Sequence, residues 1–290
     1  MARPSRSKLR TLLVIVVLTL LAPGGAKALA APGPSTVALR AVGANEVQNV
    51  FIRPPVGAPA DQPLQVLIAL HGMGGNGADF GTALAPQADA HGWLIVAPTF
   101  SYGDWTDPAQ ITHEDPALVA WLSDYVAHLA DRTGYAVQPG VLVFGHSRGA
   151  QLALHFTEIH PEQVTAVAAA SAGTYTLPFS RDAQTGEALQ FPFGVADLAK
   201  TDGGQAFDAR GFNAVPVWIG VGSADVNDAD VPDAWDPFIG GDRLERARSF
   251  TRALESLGAT VSLHVFPKTD HTLTDAMRTS GCDALAAALG

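Results

Sequence analysis

Cysteine is almost absent from this sequence of 290 residues, in which Cys282 is the only one. A single cysteine cannot form an internal disulfide, and no paired histidine motif stands beside it to suggest a thiolate nucleophile. We therefore interpret Cys282 as a partly buried structural residue.

Positive charge is also scarce. The chain has 18 Lys and Arg residues against 28 Asp and Glu, and residues 1–30 hold five of the basic residues and none of the acidic ones. Residues 31–290 therefore carry 13 basic and 28 acidic residues, a formal net charge of −15. Such a surface repels phosphate backbones and anionic lipids, which argues against a nucleic-acid partner.

Long apolar runs are missing outside the N-terminal region. Four basic residues precede the run at residues 12–21, which is about half of the ~20 residues that span a bilayer. Small residues follow, with an A-x-A-like site at Ala28 and Ala30. This order predicts a signal peptide over residues 1–30, cleaved after Ala30 or after Ala28, with an uncleaved anchor as the alternative. We expect a secreted or periplasmic protein without a permanent membrane span.

The full sequence has the composition of one globular domain, since 47% of its 290 residues are hydrophobic and 16% are charged. Short apolar runs alternate with longer amphipathic stretches, which predicts an α/β fold with a mostly parallel central sheet and helices on both faces. The predicted strands are residues 36–42, 50–53, 64–70, 94–98, 141–144, 164–170, 215–221 and 261–266. The predicted helices are residues 115–133, 148–160, 242–257 and 274–289.

One stretch, residues 174–213, has no sustained hydrophobic period and is rich in Pro, Gly and aromatic residues. It is typical of an inserted loop or small lid between two strands, and a structural surface excursion is the alternative. A second irregular stretch covers residues 225–241.

The motif with the clearest chemistry is G-x-S-x-G at residues 145–149. The predicted strand 141–144 runs directly into it, and a helical pattern follows. In a strand–turn–helix of this kind the serine adopts a strained conformation, and small residues two positions away let strand and helix approach each other. We predict Ser147 to be a nucleophile and Gly145 and Gly149 to be steric requirements of the turn.

A serine hydroxyl needs a base, and histidine suits that role near neutral pH. His271 is the candidate because it lies in the loop after the last predicted strand. His264 lies within that strand and is expected to pack against a helix-covered face. The other predicted helix and loop histidines are interpreted as solvated or capping residues: His91, His113, His128, His155 and His160.

The base must be oriented by a carboxylate that follows an earlier strand, in the chain order serine, acid, histidine. Asp225 is the leading candidate, because it follows the predicted strand 215–221. Asp228 and Asp230 lie in the same loop and remain alternatives. Asp270 is interpreted as a solvated loop carboxylate.

An oxyanion needs two N–H donors. The backbone N–H of Arg148 is one candidate. The main chain of Met73 is the other, because it lies in a His-Gly-x-Gly-Gly sequence after the predicted strand 64–70. Phosphate binding by this glycine-rich loop is disfavoured, since the loop does not end in Lys-Ser/Thr and the chain is acidic.

With these motifs the chain resembles the secreted α/β-hydrolase esterases related to polyhydroxybutyrate depolymerases and feruloyl esterases. The resemblance covers residues 64–289 and is most specific at residues 71–75, 145–149, 222–225 and 270–271. It implies ester hydrolysis through an acyl-enzyme, without a metal or organic cofactor. The sequence departs from the depolymerases at Arg148, where they usually carry a small residue, and in lacking disulfides. The resemblance therefore leaves open whether the ester is small or polymeric.

We predict a serine esterase with Ser147, Asp225 and His271 as its triad. Tyr102 and Trp105 are the candidate substrate contacts, and Phe191 and Phe193 could add to an aromatic pocket. A serine peptidase or amidase shares the same triad and is the first alternative. A non-catalytic binding protein on the same fold is the second. The sequence gives no indication of the oligomeric state.

Overall fold

The computed structural model describes residues 35–38, 47–58, 62–201 and 206–290. The predicted signal peptide and both of its cleavage sites lie outside these residues. Within them, no helix is long and apolar enough to cross a membrane.

One twisted sheet organises the described residues. Its strands are β1 (Ser35–Ala38), β2 (Val47–Arg53), β3 (Leu64–Leu70), β4 (Trp93–Phe100), β5 (Val137–His146), β6 (Val164–Ala170), β7 (Val217–Gly222) and β8 (Val261–Phe266). Their spatial order is β1-β2-β4-β3-β5-β6-β7-β8. Strands β1 and β2 pair antiparallel, and the other six run parallel. The predicted mostly parallel sheet is confirmed.

Most of the helices lie in the crossover connections that a parallel sheet requires, and the last one follows the final strand. They are α1 (Gly77–Ala83), α2 (Ala85–His91), α3 (Pro108–Ala127), α4 (Leu129–Thr133), α5 (Arg148–Ile159), α6 (Leu198–Thr201), α7 (Ala209–Ala214), α8 (Asp236–Ile239), α9 (Arg243–Ser256) and α10 (Asp275–Ala287). The four predicted helices correspond to α3 with α4, α5, α9 and α10. Helices α1 and α2 were not predicted.

A hydrophobic core lies on each face of the sheet. Along β3, Val66 belongs to the core that contains Leu152 of α5, and its neighbour Leu67 belongs to the core that contains Met277 of α10. Successive side chains of a strand point to opposite faces, so a fully buried strand supplies both cores. Each fully buried Val, Leu or Met contributes about 1.5–3 kcal/mol.

The strand register brings the predicted triad loops together. Strands β5 and β6 pair as far as His146 and Ala170, and β7 and β8 pair as far as Gly222 and Phe266. Since these strands are parallel, the loops that follow β5, β7 and β8 all leave the sheet at its carboxyl edge, where ligands of open α/β sheets bind.

Candidate active site

Ser147 lies in the sharp turn between β5 and α5. Its φ of 54° and ψ of −120° are strained values for a residue with a side chain. Its N–H donates to the Ala170 carbonyl at 2.8 Å. A Cβ on Gly149 would lie 2.1 Å from the Leu70 carbonyl oxygen, and one on Gly145 would lie 2.2 Å from the Gly149 carbonyl oxygen. The two glycines of the motif are therefore required by backbone contacts that leave no room for a side chain.

His271 lies in the loop after β8, within reach of the serine. Its Nε2 atom is 2.9 Å from Ser147 Oγ, and its Nδ1 atom is 3.0 Å from Asp225 Oδ2. The loops of the histidine and the aspartate are joined by a hydrogen bond from the Ala224 N–H to the Thr269 carbonyl, 2.8 Å long. The structure therefore brings together the three residues of the predicted triad.

The carboxylate of Asp225 is buried, with 3% of the residue exposed, and bridges two partners. One oxygen faces His271, and the other accepts from Arg243 Nη1 at 3.2 Å. Burial opposes the charged form, but the hydrogen bond with His271 and the charge of Arg243 outweigh it, so that the pKa of Asp225 is lowered. An ionised Asp225 accepts a hydrogen bond from the Nδ1–H of His271, which leaves Nε2 free to accept a hydrogen bond from Ser147.

The alternative residues lie elsewhere. Asp228 is exposed in a short 3-10 helix, and Asp230 is exposed near the mouth of the cleft. The Asp270 carboxylate accepts from the Thr272 N–H at 2.9 Å. The prediction that His264 packs against a helix-covered face is wrong, because β8 is the edge strand of the sheet. His264 is exposed there and its ring stacks on that of Trp218, with 5.7 Å between centroids.

The predicted oxyanion loop passes beside the serine. A Cβ on Gly72 would lie 3.2 Å from Ser147 Cβ, and Gly74 adopts a positive φ of 70° in the following turn. His71 secures this loop from below: its Nδ1 lies 2.7 Å from the Gly72 carbonyl, and its Nε2 lies 3.0 Å from the Phe100 nitrogen. Because Nε2 accepts from an N–H, Nδ1 must carry the proton. Burial lowers the pKa of His71, which favours this neutral form.

A cleft of about 490 Å³ opens above Ser147 and His271. Residues from several loops line it, among them Gly72, Met73, Trp105, Ala229, Asp230 and Arg243. Met73 and His146 also line a second cavity of about 400 Å³, which extends to Phe80 and Leu273. The second cavity therefore adjoins the cleft at Met73 and His146, the residue before the serine.

A profile of the α/β hydrolase fold matches residues 65–271, which is more than half of the chain. The chain belongs to the α/β-hydrolase family. No curated protein sequence matches it significantly.

Several solved structures share the fold of this α/β hydrolase. A poly(aspartic acid) hydrolase from Sphingomonas sp. KT-1 is 22% identical with a TM-score of 0.65, over 87% of this chain and 97% of its own. A poly(3-hydroxybutyrate) depolymerase from Bordetella parapertussis is 25% identical with a TM-score of 0.60, over 82% of each chain. A ferulic acid esterase from Anaeromyces mucronatus is 14% identical with a TM-score of 0.58, over 91% and 94%. The predicted resemblance is confirmed at the level of the fold.

The two candidate substrate contacts of this α/β hydrolase have different positions. Trp105 lines the cleft and packs against Gly173, where an added Cβ would lie 2.9 Å from the indole Cζ3. Tyr102 is not among the residues that line the cleft. Its ring centroid is 5.2 Å from that of His71 and 4.9 Å from the Arg148 guanidinium. The position of Tyr102 favours a supporting role over the predicted contact with substrate.

The predicted insertion between β6 and β7 is present, and none of its described residues lines the cleft. The segment between β6 and β7 buries Leu177, Leu189 and Phe191 in the core instead of covering the cleft. Phe191 packs edge-on against His155, and Phe193 packs on Trp235. Neither aromatic ring lines the cleft, so the prediction that they add to its pocket is wrong. The segment has enough apolar residues to pack into the core. Its irregular hydrophobic pattern did not indicate this packing in the sequence.

Besides those of His71, the contacts of two further histidines, His146 and His155, were not predicted from the sequence. His146 donates from Nε2 to the backbone carbonyl of His271 at 3.2 Å, and burial together with the charge of His271 lowers the pKa of His146 to about 4. The interpretation of His155 as solvated or capping is wrong, since it is buried between Asp115 and Thr176. A histidine four residues before the end of an otherwise buried helix was the available signal.

Metal binding finds no support in the described part of the chain, where no group of three or more His, Cys, Asp or Glu side chains is placed to hold an ion. The chemistry available at the cleft is that of the serine, the two histidines that adjoin it, and the backbone N–H groups of the surrounding loops.

Proposed function

We propose that this α/β hydrolase cleaves carboxylic esters through an acyl-enzyme on Ser147. The observation that carries the proposal is the hydrogen-bonded series Ser147 Oγ, His271 and Asp225, with distances of 2.9 and 3.0 Å, at the base of an open cleft. A strained serine within reach of an oriented imidazole is the arrangement that nucleophilic catalysis requires.

In the first half of the cycle, His271 Nε2 takes the proton from Ser147 Oγ while the oxygen attacks the ester carbonyl carbon. The carbonyl π electrons move onto the oxygen and form a tetrahedral oxyanion. When the oxyanion collapses, the bond to the alcohol oxygen breaks and His271 returns its proton to that oxygen. The alcohol leaves, and the acyl group remains on Ser147.

In the second half, His271 takes a proton from water, whose oxygen attacks the acyl carbon. Collapse breaks the bond to Ser147 Oγ, which recovers its proton from His271, and the carboxylic acid is released. Asp225 stabilises the imidazolium that forms in each half.

Two backbone N–H groups are proposed to bind the oxyanion. Arg148 is the first residue of α5, so its N–H has no acceptor within the helix and lies at the positive end of the helix dipole. Met73 follows Gly72, which approaches Ser147 closely enough to put the loop beside the reacting carbonyl. Donors that are already in place stabilise developing charge without reorganisation.

The preference for esters is supported by the family and by the depolymerase at 25% identity. The cleft above Ser147 has a volume of about 490 Å³, and a second cavity of about 400 Å³ adjoins it at Met73 and His146, which supports binding of an ester at this site. We further propose that the enzyme acts outside the cytoplasm, which the pattern of residues 1–30 supports.

Fluorophosphonate labelling combined with a panel of p-nitrophenyl esters tests the proposal. Wild-type protein should be labelled and should hydrolyse the short-chain esters. Ser147→Ala should lose labelling and roughly a millionfold in kcat/KM, while its circular dichroism stays unchanged. Ser262→Ala, which removes an exposed hydroxyl from β8, is the matched control and should keep both properties.

Retained turnover in Ser147→Ala would refute the assignment of the nucleophile. Faster cleavage of amide and peptide substrates than of esters would establish the peptidase or amidase alternative. A wild-type protein that the probe does not label would favour a binding protein.

A further inference from the structure

The side chain of Arg148 is buried in the protein interior, where 2% of the residue is exposed. Its Nη1 donates to Asp115 Oδ2 at 3.1 Å, and its Nη2 donates to Glu114 Oε1 at 3.0 Å and to the second oxygen of Asp115. Both acids are on α3 and are buried. The residue that follows the proposed nucleophile is therefore tied to a neighbouring helix by charged hydrogen bonds.

The charges of this buried cluster balance. Thr176 donates its hydroxyl proton to the Pro192 carbonyl at 2.7 Å, so it accepts from His155 Nε2, which is 2.9 Å away. His155 Nδ1 lies 2.5 Å from Asp115, so both ring nitrogens carry protons. Burial opposes ionisation of Asp115, but the charges of Arg148 and His155 outweigh it and lower its pKa to about 2. Two cations thus face two anions, which is the condition for keeping buried charges.

Glu114 extends the cluster to a loop of the cleft. Its second oxygen, Oε2, accepts from the backbone N–H of Gly103 at 2.6 Å and from Gln110 Nε2 at 3.1 Å. A Cβ on Gly103 would lie 2.4 Å from Gln110 Nε2 and 2.7 Å from this oxygen, so a larger residue would push the loop and these two side chains apart. One carboxylate therefore joins the guanidinium of Arg148 to the backbone after β4.

The loop held in this way carries Trp105 into the cleft. Trp105 follows Gly103 by two residues, lines the cleft and packs on Gly173. The Arg243 guanidinium lies 5.9 Å from the centre of its ring. The cluster therefore acts on the indole through the backbone that Glu114 holds at Gly103, while Gly173 and Arg243 contact the ring itself.

We propose that Glu114 is a positioning residue that determines substrate size selection. By bridging Arg148 and the Gly103 N–H, it fixes the distance between the nucleophile turn and the indole of Trp105. Esters with an aromatic or medium-chain group that reaches Trp105 depend on this distance, and an acetate ester does not. The proposal rests on the proposed esterase function and names the substrate class of the same cleft.

Glu114→Gln tests the proposal, because the amide keeps the shape but replaces one acceptor oxygen by a donor group. KM should rise about tenfold for p-nitrophenyl octanoate or for a benzyl ester, the cost of a lost charge-assisted hydrogen bond. Both constants for p-nitrophenyl acetate should stay within about twofold of the wild type. Glu158→Gln is the matched control: Glu158 is equally buried on α5, and its oxygens have no hydrogen-bond partner in the described residues.

Gly103→Ala provides a second variant that leaves the buried charges intact. The added methyl group would displace the loop from Glu114 and should give the same selective rise in KM. The proposal would be overturned if folded Glu114→Gln and Gly103→Ala changed KM equally for small and large esters. It would also be overturned if neither variant changed KM. A selective change in Glu158→Gln would also overturn it.

Hydrogen exchange of the Gly103 amide separates this proposal from the proposed function, since it needs no substrate. The amide should exchange faster in Glu114→Gln than in wild type, and unchanged exchange would contradict the hydrogen bond to Glu114. A wild-type protein that hydrolyses no ester would refute the proposed function, whatever the exchange shows.

Discussion

Each oxygen of Asp225 has its own partner, and this division explains why the neighbouring acids cannot replace it. The oxygen that faces His271 orients the imidazole, and the oxygen that faces Arg243 anchors the carboxylate. Arg243 also donates to the Asp230 carbonyl at 2.7 Å, which holds the loop between the two acids. Removal of the carboxylate charge should therefore affect the histidine and the loop together.

We expect Asp225→Asn to lower kcat by about 10⁴-fold. The amide can donate to Nδ1 of His271 and so favour the tautomer whose Nε2 carries the proton, which cannot accept from Ser147. Steady-state kinetics with a p-nitrophenyl ester measures the effect. Asp228→Asn is the matched control, because Asp228 is exposed in the same loop, and it should stay within about twofold of the wild type. A larger loss in the control would transfer the role to Asp228.

For single residues, the sequence was enough to predict the serine and the histidine. It could not decide from geometry which aspartate of the loop after β7 contacts the histidine. Ser147 is marked by its flanking glycines, and His271 by its position after the last strand. The irregular loop after β7 holds several aspartates, and only the folded backbone separates Asp225 from the others. The contacts of Arg148 join residues 33 and 34 positions apart, so no local pattern could indicate them.

The element that decides the site is the turn between β5 and α5. Gly149 is the first-turn residue of α5 that touches β3, because a Cβ there would lie 2.1 Å from the Leu70 carbonyl oxygen. That backbone oxygen cannot move without disturbing the sheet. The close approach of α5 to β3 therefore depends on the contact between Gly149 and Leu70 rather than on the rest of the helix.

Gly149→Ala should lower the free energy of unfolding by at least 1–3 kcal/mol, roughly the cost of overpacking a core. It should also abolish fluorophosphonate labelling, because α5 must shift and carry Ser147 with it. Thermal unfolding and labelling measure the two effects. Gly241→Ala is the control, since a Cβ at Gly241 would meet nothing within 4 Å. Normal labelling of Gly149→Ala would contradict the steric argument.

Helices α1 and α2 show where pattern reasoning failed at the level of elements. Glycine disfavours a helix, and α1 contains Gly77 and Gly81. A Cβ on Gly77 would lie 2.1 Å from the Ala97 carbonyl oxygen, so these glycines reflect packing against β4 and β2 rather than a loop. In contrast, the bounds of β3, β6 and β8 are those predicted, because these runs are mostly apolar or β-branched and end at clear turn signals.

At the scale of the described domain, one core lies on each face of the sheet. The core that contains Leu67 and Met277 depends on α10, the last helix. Met277, Cys282 and Leu285 are buried from this helix against the sheet face that contains Trp218. Helix α10 contacts β5, β6 and β7, so it covers the strands that carry the site. Loss of α10 should expose this core, and the domain should unfold as one cooperative unit.

The single cysteine offers a direct measurement of that cooperativity. Burial, with a smaller contribution from Asp283, raises the pKa of Cys282 to about 12, so the native thiol is both inaccessible and protonated. We expect no reaction of the native protein with a thiol reagent at pH 8. In a guanidinium series, labelling should follow the same transition as the tryptophan fluorescence and circular dichroism. Labelling that precedes the other signals would show that α10 detaches on its own, and rapid labelling without denaturant would contradict the burial of this helix.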